Sequence, residues 1–168
     1  MINIVLYEPE IPENTGNIMR TCAGTNTTLH LIRPFGFIFD EKHLKRSGAN
    51  YLDKVKYKIY DDFEEFTTQN KGKYYYFTRY GHHAPSEYNY NETNEDIYLI
   101  FGKESTGIPK EILKNNLSTC IRIPTTDNIR SLNLSNCVAI GLYEVLRQKN
   151  YLNLLKDEPF KGKDYLEK

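Results

Sequence analysis

Four polar side chains crowd into six positions at Ser131-Leu132-Asn133-Leu134-Ser135-Asn136. Upstream, Ile121–Ile123 reads as a short apolar strand stopped by Pro124, and Thr125–Arg130 as a polar loop with nothing to bury. Downstream, Leu134, Val138, Leu142, Val145 and Leu146 fall at helical spacing. Asn133 or Ser131 suits the helix N-cap, where a side-chain oxygen accepts from a free N–H of the first turn. One cap needs only one such residue. The surplus points to a ligand, because a strand end, an ordered loop and a helix start together form a binding place in α/β proteins.

Two other strand ends carry comparable chemistry. Asn14-Thr15-Gly16-Asn17 follows an apolar run, Ile2–Tyr7, and a proline-stiffened loop, Glu8–Glu13. Asn14 or Thr15 either caps the helix that starts there or leaves its N–H groups to an anion, with Arg20 one turn on as a fixed cation. The GxGxxG of dinucleotide folds is absent here, as is the glycine-rich loop of common nucleotide-binding methyltransferases. Gly102-Lys103-Glu104-Ser105-Thr106-Gly107 has two glycines of a phosphate loop, but Ile108-Pro109 stands where Lys-Ser/Thr is required, so it is not a Walker loop. Gly102, directly after a buried strand, permits either positive φ or a close backbone approach. Glu104 either caps the helix near Pro109 or accepts hydrogen bonds from a ligand or an arginine. His82-His83 lies in a polar loop without Cys or carboxylate at ligand spacing, so no metal site is expected.

These loops need a frame. Ile2–Tyr7 and Ile97–Phe101 are continuous apolar runs suited to strands covered on both faces. Thr28–Ile32, Val55–Tyr60 and Lys73–Thr78 read as further strands. Helical segments fall from about Asn14, over Asp40–Arg46, from Asp61 to Phe66, over Pro109–Leu113 and from Leu134. The alternation predicts an α/β fold, a mostly parallel sheet flanked by helices, with all three loops at its carboxyl edge. The 168 residues read as one domain, with a charged, peripheral tail over residues 150–168.

Lys+Arg and Asp+Glu both number 22, so no global field draws in nucleic acid; such a partner needs a local basic patch or one built across two subunits. Cys22, Cys120 and Cys137 have no CxxC spacing and adjoin apolar residues, as buried reduced thiols would. With no basic leader and no membrane-length apolar run, a cytoplasmic protein is expected.

NIVLYEPEIPENTGNIMRTC, FGKESTGIP and RIPTTDNIRSLNLSNCVAIGLYE together resemble, in order and spacing from Met1 to about Arg147, the three motifs of SPOUT-family RNA 2′-O-ribose methyltransferases. Within that family they are most similar to the small tRNA (cytidine(34)-2′-O)-methyltransferases. Departures are Lys103 where proline is frequent, and Thr125 and Leu132 where methionine is frequent. The resemblance implies a C-terminal trefoil knot, a homodimer, tRNA (its anticodon stem-loop) as partner, and S-adenosylmethionine as methyl donor, leaving as S-adenosylhomocysteine. It implies a donor pocket of Phe77, Thr78, Gly102, Glu104, Ile123, Ser131 and Leu132. It places Asn14 and Arg20 at catalytic and RNA-contacting positions, Ser135 and Asn136 at the polar end of the third motif, and Tyr143 on the final helix. Arg20, Arg79, Arg122 and Arg130 would form a basic groove across two subunits. The rival expectations are methylation at another tRNA or rRNA position, and a non-catalytic RNA-binding protein of the same fold. Many relatives carry an added RNA-binding domain, for which this length has no room.

Overall fold

The two continuous apolar runs become the two central strands of a six-stranded, all-parallel sheet. The computed structural model describes residues 1–46 and 51–168. Its strands are β1 (Ile2–Tyr7), β2 (Thr28–Ile32), β3 (Tyr57–Tyr60), β4 (Lys73–Phe77), β5 (Ile97–Phe101) and β6 (Cys120–Ile121). They lie in the order β3-β2-β1-β5-β4-β6. β1 pairs with β2 on one side and β5 on the other, with Val5 opposite His30 and Ile100. All five residues of β5 are buried, as a central strand with covered faces requires.

The helices are α1 (Pro12–Thr25), α2 (Glu41–Arg46), α3 (Phe63–Gln69), α4 (Lys110–Leu113) and α5 (Leu134–Gln148). Strand side chains alternate between two cores, as the period of two dictates. On one face Ile4, Leu6, Leu29, Leu31, Phe77, Leu99 and Phe101 meet Ile18, Met19 and Cys22 of α1 and Val138, Leu142 and Val145 of α5. On the other, Val5, Ile32, Tyr60, Tyr76, Tyr98 and Ile100 meet Phe66 of α3 and Leu113 of α4. α1 and α5 therefore share one face and pack against each other there.

Several element ends differ from the sequence expectation. α1 begins at Pro12, in the first turn, where its missing N–H costs nothing. Asn14 and Thr15 are therefore buried inside the helix, and neither caps it. α3 starts at Phe63, with Asp62 accepting from the Glu65 N–H at 2.8 Å. β3 begins only at Tyr57, and β6 ends at Ile121, although the apolar pattern extends to Ile123. Beyond residue 150, Tyr151 and Leu154 pack against the core, whereas Leu152, Leu155, Phe160 and Leu166 are exposed. Cys22 is buried and its thiol is pushed up to about 12 by desolvation. Cys120 is buried as expected; Cys137 is half-buried.

Candidate functional site

Because all strands run parallel, the chain leaves β1, β4, β5 and β6 at the same edge of the sheet. Three of those exits are tied together by one chain of hydrogen bonds. Asn133 Nδ2 donates to Asn14 Oδ1 at 3.1 Å, and Asn14 Nδ2 donates to Glu104 Oε1 at 3.3 Å. The same carboxylate accepts the backbone N–H of Glu10 at 2.8 Å and of Ile11 at 3.1 Å. Glu104 thus holds the two amides that lead into α1, those of Glu10 and of the N-cap residue Ile11, just ahead of the first helical residue Pro12. It does not cap α4. A negative charge there also suits the positive end of the helix dipole.

The clamp is reciprocal. Glu10 accepts from Ser105, through Oγ at 2.6 Å and N–H at 3.2 Å, and Lys103 Nζ pairs with Glu8 at 2.7 Å. The Glu8 carboxylate holds the Lys103 ammonium above its usual range. On the third loop, Asn133 caps α5 by accepting from the Ser135 N–H at 2.9 Å and from Ser135 Oγ at 2.6 Å. One asparagine therefore serves both the cap and the junction.

Between the loops opens a cavity of about 720 Å³, within the usual range for a small-molecule site. Phe77 and Phe101, stacked with centroids 4.4 Å apart, lie in its wall with Ile108, Ile121, Ile123, Leu132 and Leu134. Polar groups of Thr78, Glu104, Thr125 and Ser131 and the guanidinium-bearing Arg79, Arg122 and Arg130 complete it. Gly102 is needed for a close approach within the chain: a Cβ there would lie 2.1 Å from the Gly107 carbonyl carbon, where the loop returns. Gly107 takes the left-handed conformation, φ 71°, that makes the return.

All seven residues assigned to a donor pocket, Phe77, Thr78, Gly102, Glu104, Ile123, Ser131 and Leu132, line this one cavity, and Asn14 joins them. Arg20, Ser135, Asn136 and Tyr143 do not line it. Ser135 stands next to it through Asn133, and Asn136 is exposed in the first turn of α5. Arg20 is exposed on α1 with its guanidinium 5.3 Å from the Tyr51 ring centroid, and Tyr143 is 47% exposed on α5. His82 and His83 are both exposed. The residues missed by pattern are Asn133, as a tie between motifs, and Tyr80 and Cys137 in the cavity wall. Asn133 and Asn14 are 119 residues apart, so no local window contains that signal.

The chain is similar to known proteins over most of its length. A protein of Listeria monocytogenes serotype 4b (strain F2365) is 54% identical over 162 residues, 96% of each chain, and carries the provisional name tRNA (cytidine(34)-2′-O)-methyltransferase. A solved structure described as "Structural insights into the 2-OH methylation of C/U34 on tRNA" matches with TM-score 0.81 at 38% identity, over 89% of this chain and 97% of that one. The SpoU methyltransferase AviRb of Streptomyces viridochromogenes, in complex with AdoMet, shares the fold with TM-score 0.75 at 18% identity, over 88% of this chain and 57% of that one. The model of the SpoU rRNA methylase family matches residues 1–143, which hold the whole sheet and every loop of the cavity, and the chain belongs to that family.

Proposed function

We propose that this protein transfers a methyl group from S-adenosylmethionine to the ribose 2′-hydroxyl of the wobble nucleotide of tRNA, cytidine or a modified uridine at position 34. The observation that carries the reading is the near full-length identity to a protein named for this reaction. The cavity supports it. Its volume and mixed wall fit a nucleoside with an amino-acid tail: Ile108, Ile121, Ile123 and Leu132 offer apolar surface to an adenine, and Thr78, Glu104 and Ser131 offer polar groups at the rim. The donor, when bound, supplies an electrophilic sulfonium methyl.

The chain's own residues must then bring a weakly acidic hydroxyl in line and stabilise its developing charge. Asn14, fixed between Asn133 and Glu104, borders the cavity and would orient the ribose. Arg20 would hold a phosphate and stabilise alkoxide charge; a guanidinium stays protonated, so a phosphate oxygen or water takes the proton. Ser135, Asn136 and Tyr143 would face the RNA from α5.

The working form would be a homodimer, completing a basic groove from Arg20, Arg79, Arg122 and Arg130; in support, Ile140 on α5 and Ile11 just before α1 are exposed apolar side chains that a second copy could cover. Sedimentation at twice the 19.7 kDa chain mass tests this. The β6–α5 unit is threaded as a trefoil knot. In support, segment 79–96 is pinned to its start, by Arg122 N–H on His83 O at 2.9 Å, and to its end, by Gln148 Nε2 on Tyr88 O at 2.8 Å. An experimental chain trace with no threading would refute it. The place of action follows the substrate, in the cytoplasm.

Incubation with labelled S-adenosylmethionine and total RNA, tRNA and rRNA together, followed by nucleotide mapping, tests the function. Label on the ribose of nucleotide 34 is the expected result. Label confined to another tRNA position or to rRNA, or donor binding without transfer, would overturn it.

A further inference from the structure

Tyr80 is a large aromatic side chain left 69% exposed, and it stands in the wall of the cavity. The turn that carries it is held from several sides. The Tyr80 N–H donates to Thr78 Oγ1 at 3.2 Å and the Gly81 N–H to Thr78 O at 3.2 Å. Gly81 is wedged against β6, where a Cβ would lie 2.7 Å from the Ile121 carbonyl carbon. Arg122 Nη1 donates to Arg79 O at 2.7 Å, and the Arg79 guanidinium lies 5.4 Å from the Tyr80 ring centroid. An aromatic face is thus presented on a fixed backbone, beside arginines whose partners there are a carbonyl, a hydroxyl and a ring rather than a carboxylate.

We propose that Tyr80, with Arg79, is a stacking platform for the unpaired base of the nucleotide being methylated. This rests on the function proposed above and adds how that nucleotide is held. A ribose entering the cavity carries its own base, which stays within one nucleotide's reach of the rim. Single-stranded RNA is held by such surfaces, bases stacking on tyrosine rings and guanidinium planes. Every base has a π-face, so a platform of this kind accepts cytosine and uracil alike. Arg122 and Arg130, in the same wall, suit the flanking phosphates.

The test uses a short anticodon stem-loop RNA with 2-aminopurine at the target nucleotide, titrated with wild type, Tyr80→Ala and Tyr80→Phe. Donor affinity is measured in parallel by calorimetry with S-adenosylmethionine. Wild type and Y80F should quench the fluorophore and bind alike within about twofold. Y80A should leave it bright and bind about 5- to 100-fold more weakly. Donor affinity should stay within about twofold throughout. A Y80A affinity for RNA equal to wild type overturns the platform. So does a parallel loss of donor affinity, which would put the ring in the donor pocket, or a Y80F loss as large as that of Y80A, which would make the hydroxyl the working group. Binding needs no transfer, so a wild type that quenches but never methylates refutes the proposed function and leaves the platform standing. A wild type that binds no RNA refutes both.

Discussion

At the scale of single residues, Glu104 and Arg20 pose opposite cases. Glu104 has its carboxylate filled by three donors, two amides of the loop after β1 and the Asn14 side chain of α1, so its first duty is to the fold. Hydrogen bonds to a charged group are worth about 1.5–3 kcal/mol. Glu104→Gln keeps the shape but turns a donor toward α1, so it should cost about 1–2 kcal/mol. Urea unfolding reads this as a lower midpoint with unchanged slope; an unmoved midpoint would mean the clamp is idle. Arg20 is exposed, and its recorded partner is a tyrosine ring, so little of the fold depends on it. Arg20→Lys should leave the unfolding temperature within about 2 °C yet lower kcat at saturating RNA at least about tenfold, because an ammonium lacks the planar two-pronged donor. Near-normal turnover would remove Arg20 from phosphate and alkoxide binding. The residue types at both positions were readable as chemistry. What each one touches was not: Asn14 or Thr15 reads either as a cap or as part of an anion site, and the carboxylate that holds the amides ahead of α1 lies 94 positions from Glu10.

At the scale of elements, strands were the most legible, because a parallel strand buried on both faces must be apolar throughout, and Ile97–Phe101 could be little else. Helix starts were the least legible, because α1 begins under a carboxylate supplied from the β5 loop rather than under a side chain of its own. Close approaches of elements were equally hidden. Gly141 on α5 lies so near β4 that a Cβ would meet Phe77 Cζ at 2.6 Å, while at Gly24 on α1 a Cβ would meet nothing within 4 Å. The same substitution should therefore have opposite signs in the two helices. Gly24→Ala should stabilise by about 0.5–1 kcal/mol through helix propensity and a less mobile unfolded chain. Gly141→Ala should destabilise by about 1–3 kcal/mol, since Phe77 is already stacked on Phe101 and has to give way. It should also weaken donor binding, because both rings lie in the cavity wall. Thermal unfolding of the pair, with donor titration of each, checks both signs. Stabilisation by Gly141→Ala would mean the helix sits further from the sheet.

At the scale of the whole molecule, one buried hydrogen-bond relay crosses the sheet away from the cavity. Asn3 on β1 donates to Ile97 O on β5, which leaves its Oδ1 facing His30 on β2. His30 Nε2–H therefore donates to Asn3 at 2.9 Å, and Nδ1 accepts the Tyr60 hydroxyl of β3 at 2.8 Å. Tyr60 in turn accepts from Asn70 Nδ2, just past α3. Every donor in this relay has an acceptor only while the imidazole is neutral: a second ring proton would face the Tyr60 oxygen, already a donor toward it. Burial, with the charge of Lys58 adding to it, lowers the His30 pKa from 6.5 to about 4, and the side chain is only 5% exposed. The folded state thus holds fewer protons than the unfolded chain between those values. Stability from this group is complete above pH 6.5 and is lost as pH falls toward 4, below which no further loss occurs. Between pH 7 and pH 5, where most carboxylates remain charged, the loss should be about 2 kcal/mol. His30→Gln should be less stable than wild type at pH 7, yet should lack that slope, since an amide does not titrate. Urea midpoints of both proteins at the two pH values decide it. A wild-type curve as flat as that of the variant, or a variant that keeps the slope, would place the acid sensitivity elsewhere. This relay lies on the face opposite α1 and α5, so the loss between pH 7 and pH 5 should loosen the β3–α3 side of the sheet first.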